Sequence, residues 1–307
     1  VRTWLYYTLL KSTLLMDKPG FQNVWIDGLG MDPWGRKMSK SLGNGIDADS
    51  VLECGAGGRT GAWRVKGPDK SVQLKANKIG SECFRLWKAC DAQVGDDFHI
   101  NPEEIEAKYF GVLTKIFNVA RFASQFPVPT DLQQVPSDLC TGDRWILSEF
   151  AQVLEDVEKA WREVDIFTAT RIIKNFATDV LPSHWLEMAK GRLYEDDLNA
   201  AWTIHRIVKD LLTIFSPVCP FFTHHLSETL YGVSSVDIRA YPQSQITNNE
   251  DAERLRKLTN ALCDFNSETW RAKKDLSLSL NAEIDGIKVP EILSEFAPEL
   301  IAMHKLQ

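Results

Sequence analysis

The sequence predicts a mainly α fold with a small α/β part: the end of a βαβ unit, then a long antiparallel helix bundle, then a small C-terminal α/β appendage. Three observations carry that reading. Residues 1–30 run from an apolar helical stretch through a short β-type stretch into a glycine-rich turn, the order found in βαβ units. Beyond Asn101-Pro102, apolar residues recur at three- and four-residue steps between Pro- and Asp-rich breaks. Near the C-terminus, "DLSLSLNAEIDGIKV" alternates as a strand pair would.

The elements follow in order. "VRTWLYYTLLKSTLLMDKPG" begins inside an apolar run with no capping residue before it, and Pro19-Gly20 closes it. Phe21 to Ile26 reads as a strand. An opening inside a helix is the mark expected of a fragment of a longer protein. Between Gly55 and Gly80 glycine rises, and Arg59, Arg64, Lys66, Lys70, Lys75 and Lys78 stand against Asp69. A hairpin is expected there, with Trp63, Val65, Val72 and Leu74 on one side and Gly67-Pro68-Asp69 at the tip. Two uses stay open for it, an RNA-facing loop or a solvated basic excursion.

The bundle helices are marked by Phe110, Leu113, Phe117 and Ala120, by Phe150, Val153, Val157, Trp161 and Val164, by Ala169, Ile172, Phe176 and Val180, and by Ile204, Val208, Leu211 and Phe215. Breaks fall at Pro127 to Asp143, at Glu195-Asp196-Asp197 and at "SPVCP". Leu255, Leu258, Leu262 and Phe265 mark one more helix, and a turn at Asp285-Gly286 would join the last strand pair.

Composition narrows the function. With 307 residues, 44% hydrophobic and 25% charged, the chain can build two or three structural units. No run approaches the roughly 20 apolar residues that span a bilayer, so a cytoplasmic protein is expected. The net charge of −7 argues against wholesale wrapping of nucleic acid and leaves room for a local basic surface. Six scattered cysteines lack close pairs, which suits reduced packing residues. His184, His205, His224 and His225 have no carboxylate or cysteine at ligand spacing, so no protein-bound metal is expected.

One stretch carries chemistry. "GRKMSKSLGN", Gly35 to Asn44, sets Arg36, Lys37 and Lys40 among hydroxyls and glycines. Two lysines three apart on a glycine-bounded loop can close over a polyphosphate where negative charge develops, with Ser39, Ser41 and backbone N–H groups adding hydrogen bonds. The stretch is not a Walker loop, because GxxxxGK[ST] is absent. The pentapeptide Lys37-Met38-Ser39-Lys40-Ser41 resembles the second signature of the class I aminoacyl-tRNA synthetases. At about 5% usage per residue type, such a string arises by chance in roughly one chain in ten thousand of this size.

Its flanks, "RTWLYYTLLKS" and "WIDGLGMDPWGRKMSKSLGN", resemble the valine, isoleucine and leucine group, with the valyl-tRNA synthetases nearest. "CFRLWKACDAQVGDDFHIN", "IFNVARF", "DRWILSEF", "LPSHWLEMAK" and "FSPVCPFFTHHLSETLYG" resemble successive later segments of that group. The resemblance implies the end of a Rossmann-type catalytic domain carrying the KMSKS loop (1–53), a stem-contact region with a glycine-rich basic insertion (54–100), an anticodon-binding helix bundle (101–245), and a terminal helix with the α/β appendage (246–307).

It further implies a C-terminal part of a ligase that activates valine with Mg-ATP and transfers it to tRNA(Val), working as a monomer. Lys37 and Lys40 would be catalytic. Gly28, Met38 and Ser39 would join them in binding ATP, Trp4 would line the amino-acid pocket, and Asn118, Arg121 and Phe122 would contact the anticodon. The first signature, of His-Ile-Gly-His type, and the editing domain are both missing, so this chain alone should not complete the reaction. Asp27 stands where many relatives carry histidine, and the Gly57 to Ser81 insertion has no family role to inherit. An isoleucyl-tRNA synthetase fragment and a stand-alone helical RNA-binding module are the competing readings.

Overall fold

A computed structural model describes residues 2–55, 63–69, 73–236, 239–244 and 250–307. Chain order is α1 (Arg2–Met16), β1 (Gly30–Met31), α2 (Ala48–Gly55), β2 (Trp63–Lys66), β3 (Gln73–Ala76), α3 (Gly80–Asp91), β4 (Phe98–His99) and α4 (Pro102–Ile105). After a π-turn come α5 (Gly111–Ala123), α6 (Thr141–Arg162) and α7 (Ile166–Asn175); a second π stretch, Phe176–Trp185, leads into α8 (Leu186–Tyr194). Then follow α9 (Leu198–Phe215), α10 (Pro220–Tyr231), α11 (Glu250–Lys257), α12 (Thr259–Asp275), a 3-10 turn and α13 (Ala297–His304). The molecule is mostly helical. Among the described residues no helix is long and apolar enough to cross a membrane.

The strand expected at Phe21 to Ile26 does not form. Val24, Trp25 and Ile26 lie exposed, because no strand among the described residues runs alongside them to take their backbone bonds. Pairing begins later, where β1 joins β4 in parallel with Gly30 opposite Phe98. The basic hairpin does form, antiparallel with Trp63 opposite Ala76 and Val65 opposite Leu74. Trp63, Val65 and Ala76 are buried beneath it. Val72, Arg59 and Lys70 fall outside the described residues.

In the bundle the breaks act as expected. Asp197 caps α9 by accepting from the N–H groups of Asn199 and Ala200, and Pro220 opens α10 at a position where a missing N–H costs nothing. The long apolar stretch 176–185 holds Pro182, whose lost donor is absorbed by a widened π turn rather than a break. Two apolar stripes sit differently from the periodic reading. On α5 the buried set is Ile116, Val119, Ala120 and Ala123, while Phe110 and Phe117 face outward. Val164 lies beyond the end of α6 in a left-handed turn and is exposed.

Helix α9 is the bundle's axis, packed against α5, α6, α7, α8 and α10 and buried along nearly its whole length. Its polar groups are matched: the Arg206 guanidinium reaches Asp210 (2.6 Å) and the carbonyls of Leu132 and Gln243, and His205 lies between the Phe126 carbonyl and the Tyr231 hydroxyl. Arg85 on α3 donates to the carbonyls of Pro217 and Val218, tying the bundle to the preceding region. Burial pushes the Cys83 and Cys90 thiols up to about 12, as suits packing residues.

The C-terminal part is a helical cap, not an α/β appendage. Gly286 does turn with φ +80°, yet no second strand follows. Ile284 pairs with Leu306 instead, and Pro290 leads into a 3-10 turn whose Leu293 and Phe296 are buried, as is Leu300 of α13. One polar cluster seals this cap. Asp143, fully buried, takes both terminal nitrogens of Arg192 (2.7 and 2.9 Å) and the indole N–H of Trp185 (3.0 Å). Glu299 of α13 accepts from the Gly142 N–H and the Cys140 thiol at the start of α6 and sits 3.6 Å from Arg192.

A second cluster holds α12. Asn266 bridges the ring of His184 (3.1 Å) and that of His304 (2.8 Å), and the other His304 nitrogen has no partner among the described residues. Burial, with the Lys273 charge adding to it, holds His304 down to about 4. A depressed histidine favours the unfolded state as soon as acid can protonate it. Stability should therefore fall by about 3 kcal/mol as pH drops from about 6.5 to 4. Urea unfolding at pH 7 and 4.5 checks this: His304→Gln should flatten the pH dependence, and an unchanged slope would remove His304 as its source.

Candidate functional site

The lysine-bearing loop is framed by two residues that the sequence pattern did not single out. Asp32 is fully buried and accepts from the N–H groups of Trp34 (3.1 Å) and Arg36 (2.8 Å), from Arg36 Nε (2.7 Å) and from Asn44 Nδ2 (2.9 Å). Burial alone would raise its carboxyl, but the Asn44 and Arg36 bonds outweigh burial and hold it below the usual carboxylate range. Asn44 in turn accepts from the Ser39 N–H (2.9 Å). Asp32 and Asn44 thus clamp the two ends of the loop together. The available signal was an Asp and an Asn flanking a glycine-rich turn, a pairing that favours local side-chain to backbone bonds.

Inside this frame the residues divide by direction. Lys37 and Lys40 point to solvent, and neither ammonium bonds within the described residues. Ser39 and Ser41 share a hydrogen bond (3.0 Å), and the Ser39 hydroxyl also accepts from the Leu42 N–H. Gly35 and Gly43 bound the loop at φ +75° and +65°, the left-handed region where glycine is unstrained. Met38 is half-buried and packs on the core, its terminal carbon beside Gly30, which makes it an anchor of the loop's underside.

Gly28 has a packing reason of its own. A Cβ there would sit 1.8 Å from the Asp96 carbonyl oxygen, so the backbone approach excludes any side chain. Asp97 stabilises the same crossing by accepting from the Leu29 N–H (2.6 Å). Asp27 is paired with Lys88 (3.0 Å). Trp4 lies 69% exposed on α1, some distance in sequence from these groups and not packed against the core.

Asn118, Arg121 and Phe122 come together in one groove. A cleft of ≈ 430 Å³ runs between α5 and the start of α8, lined by these three with Lys115, Gln125 and Lys190 among others. Asn118 and Arg121 are exposed. Phe122 is half-buried, edge-on to Phe126 (5.0 Å) and Tyr194 (6.0 Å). Tyr194, 63% exposed at the end of α8, offers a freer ring than Phe122 and was not anticipated; its tyrosine at a helix end before an Asp-rich break was the signal.

Comparisons with known proteins assign two stretches of the chain to families, and the residues of the groove at Asn118, Arg121 and Phe122 lie between them. Residues 1–101 match the class I tRNA synthetase domain of the isoleucine, leucine, methionine and valine enzymes, and residues 143–288 match the anticodon-binding domain of tRNA ligases. The valine–tRNA ligase of Aeropyrum pernix is 31% identical over 99% of this chain, and that of Pyrobaculum aerophilum is 31% identical over 100%. Each alignment covers 35% of the relative, so the chain spans about a third of the length of the curated relatives it matches. Among solved structures, the LeuRS of Agrobacterium radiobacter K84, crystallised as a ternary complex with tRNA and LeuAMS, superposes with a TM-score of 0.56 at 17% identity, covering 82% of this chain and 27% of that one. At that identity the likeness concerns the fold.

Proposed function

Because the chain belongs to the class I aminoacyl-tRNA synthetases and groups there with the valine–tRNA ligases, we propose that it supplies the second-signature loop and the anticodon-binding bundle of an enzyme that charges tRNA(Val) with valine. The observation that carries this is the clamped loop, which presents Lys37 and Lys40 outward on a rigid Asp32–Asn44 base. In the intact enzyme the valine carboxylate attacks the α-phosphorus of Mg-ATP. Lys40 stabilises the charge that grows as pyrophosphate leaves, and Lys37 holds the polyphosphate. Met38, Ser39 and Gly28 complete the ATP contacts, and Trp4 lines the valine pocket once the rest of the catalytic domain covers it. Transfer to the terminal adenosine of the tRNA follows.

By this reading residues 1–53 end the Rossmann-type domain, 54–100 form the stem-contact region, 101–245 the anticodon bundle and 246–307 its cap, and the enzyme works as a cytoplasmic monomer. The groove of Asn118, Arg121 and Phe122 suits unpaired bases, which stack on a ring or guanidinium plane while their edges are read by hydrogen bonds. Binding of this chain to transfer RNAs differing in anticodon tests the reading. The valine anticodon should be preferred, and Arg121→Ala should weaken it by about 1–3 kcal/mol. Preference for an isoleucine anticodon would move the assignment to that specificity. Indifference to anticodon would remove the groove from it.

A further inference from the structure

The β2–β3 hairpin carries an arrangement that its own stability does not explain. Its buried side is Trp63, Val65 and Ala76, so Arg64, Lys66 and Lys75 all emerge on the outer side, with Lys78 just beyond the strand. Arg64 and Lys75 are direct cross-strand partners, and like charges placed opposite each other destabilise a strand pair. Among the described residues neither makes an ion pair, and Glu103 and Glu106, the carboxylates packed against β3, are occupied by the N–H groups of Lys75, Asn77 and Lys78. A row of exposed cations on a paired ribbon is complementary to a phosphate backbone, even with the Glu103 and Glu106 carboxylates beneath β3 and the Lys78 ammonium over the Phe110 ring.

The same hairpin is stapled to the lysine loop, on both sides of the signature. The Lys66 carbonyl accepts from Arg36 Nη2 (2.7 Å), and the Lys66 N–H donates to the Gly43 carbonyl (3.4 Å). The Lys66 side chain lies across Gly43, where an added Cβ would meet its Cδ at 3.2 Å. One residue of the hairpin therefore touches both ends of the loop that Asp32 and Asn44 close from beneath.

We infer that the outer face of the β2–β3 hairpin binds the phosphate backbone of RNA, and that this contact is transmitted through Lys66 to the loop of residues 36–44. The inference rests on the tRNA reading above and deepens it, naming the hairpin face within residues 54–100 that meets the phosphates and a physical link between RNA and the catalytic loop. Holding the hairpin against RNA restrains Lys66, and Lys66 restrains both flanks of the loop.

The test uses this chain and a tRNA(Val) transcript over a range of salt. Arg64→Glu places a carboxylate opposite Lys75, so the hairpin should be as heat-stable as before or more so. Binding should nevertheless weaken, and the log–log salt slope should shrink by about one to two units. Trypsin cleavage after Lys37 and Lys40 reports the loop: RNA should slow it in the parent chain and not in Arg64→Glu. Arg36→Lys keeps the charge but loses the single Nη2 bond to the Lys66 carbonyl, along with the Nε bond to Asp32, so with its own RNA-free cleavage rate as baseline it should bind RNA normally while gaining no protection.

An unchanged salt slope in Arg64→Glu, with RNA still bound, overturns the hairpin contact and leaves the proposed function standing. Protection that survives in Arg36→Lys overturns the link through Lys66. No RNA binding by the parent chain overturns the tRNA reading itself.

Discussion

Lys40→Ala is expected to cut ATP–pyrophosphate exchange by about 10²–10³-fold when this chain is combined with a separately produced half that carries the first signature. The size follows from where the charge acts. Phosphoryl chemistry leaves little covalent work to the protein, so positioned cations supply much of the transition-state stabilisation. Lys40 is exposed and makes no side-chain bond within the described residues, so its removal leaves the Asp32–Asn44 clamp intact and the loss can be read as chemistry. Lys37→Ala should act more on the KM for ATP than on the maximal rate. Exchange by Lys40→Ala equal to that of the parent mixture would end its catalytic assignment.

Asp143→Ala should destabilise the bundle by about 3–5 kcal/mol. The carboxylate is completely buried and satisfies two nitrogens of Arg192 and the indole of Trp185. Its loss would leave a guanidinium in a poorly hydrated site with only Asp197 (3.0 Å) and Glu299 (3.6 Å) to answer it. Arg144→Ala provides the scale, since the Arg144–Asp251 pair is more than a third exposed on both sides and should contribute no more than about 1 kcal/mol. Urea unfolding of the two variants separates them. A cost for Asp143→Ala no greater than that for Arg144→Ala would show that the cluster does not hold the cap in place.

The helices were legible because their apolar spacing and their breakers agree, as at Asp197 and Pro220, each of which starts a helix a few residues after the previous one ends. The exposed faces of Phe110 and Phe117 were not, since periodicity marks a stripe without saying which neighbour covers it. Phe21 to Ile26 and the 276–289 stretch have strand-like composition, but strands depend on partners elsewhere in the chain, and Ile284 found one in Leu306. At the loop, the signature gave the cations while the residues that hold them, Asp32 and Asn44, were hidden. Their role depends on a chain reversal that brings positions twelve apart into contact.

The docking of α13 on the start of α6 sets an order of events during translation. Residue 299 leaves the ribosome long after Gly142 and Arg192, by on the order of ten seconds at about 5–20 residues per second. Until then the nascent bundle has its hydrophobic interior without its lid, with Trp145 lacking the Phe296 ring that packs edge-on to it in the finished fold. The Asp32–Asn44 clamp is closed by bonds among residues 32–44 alone and can be in place throughout that interval. Early termination of synthesis would thus release a chain with a formed loop and an open, chaperone-binding bundle.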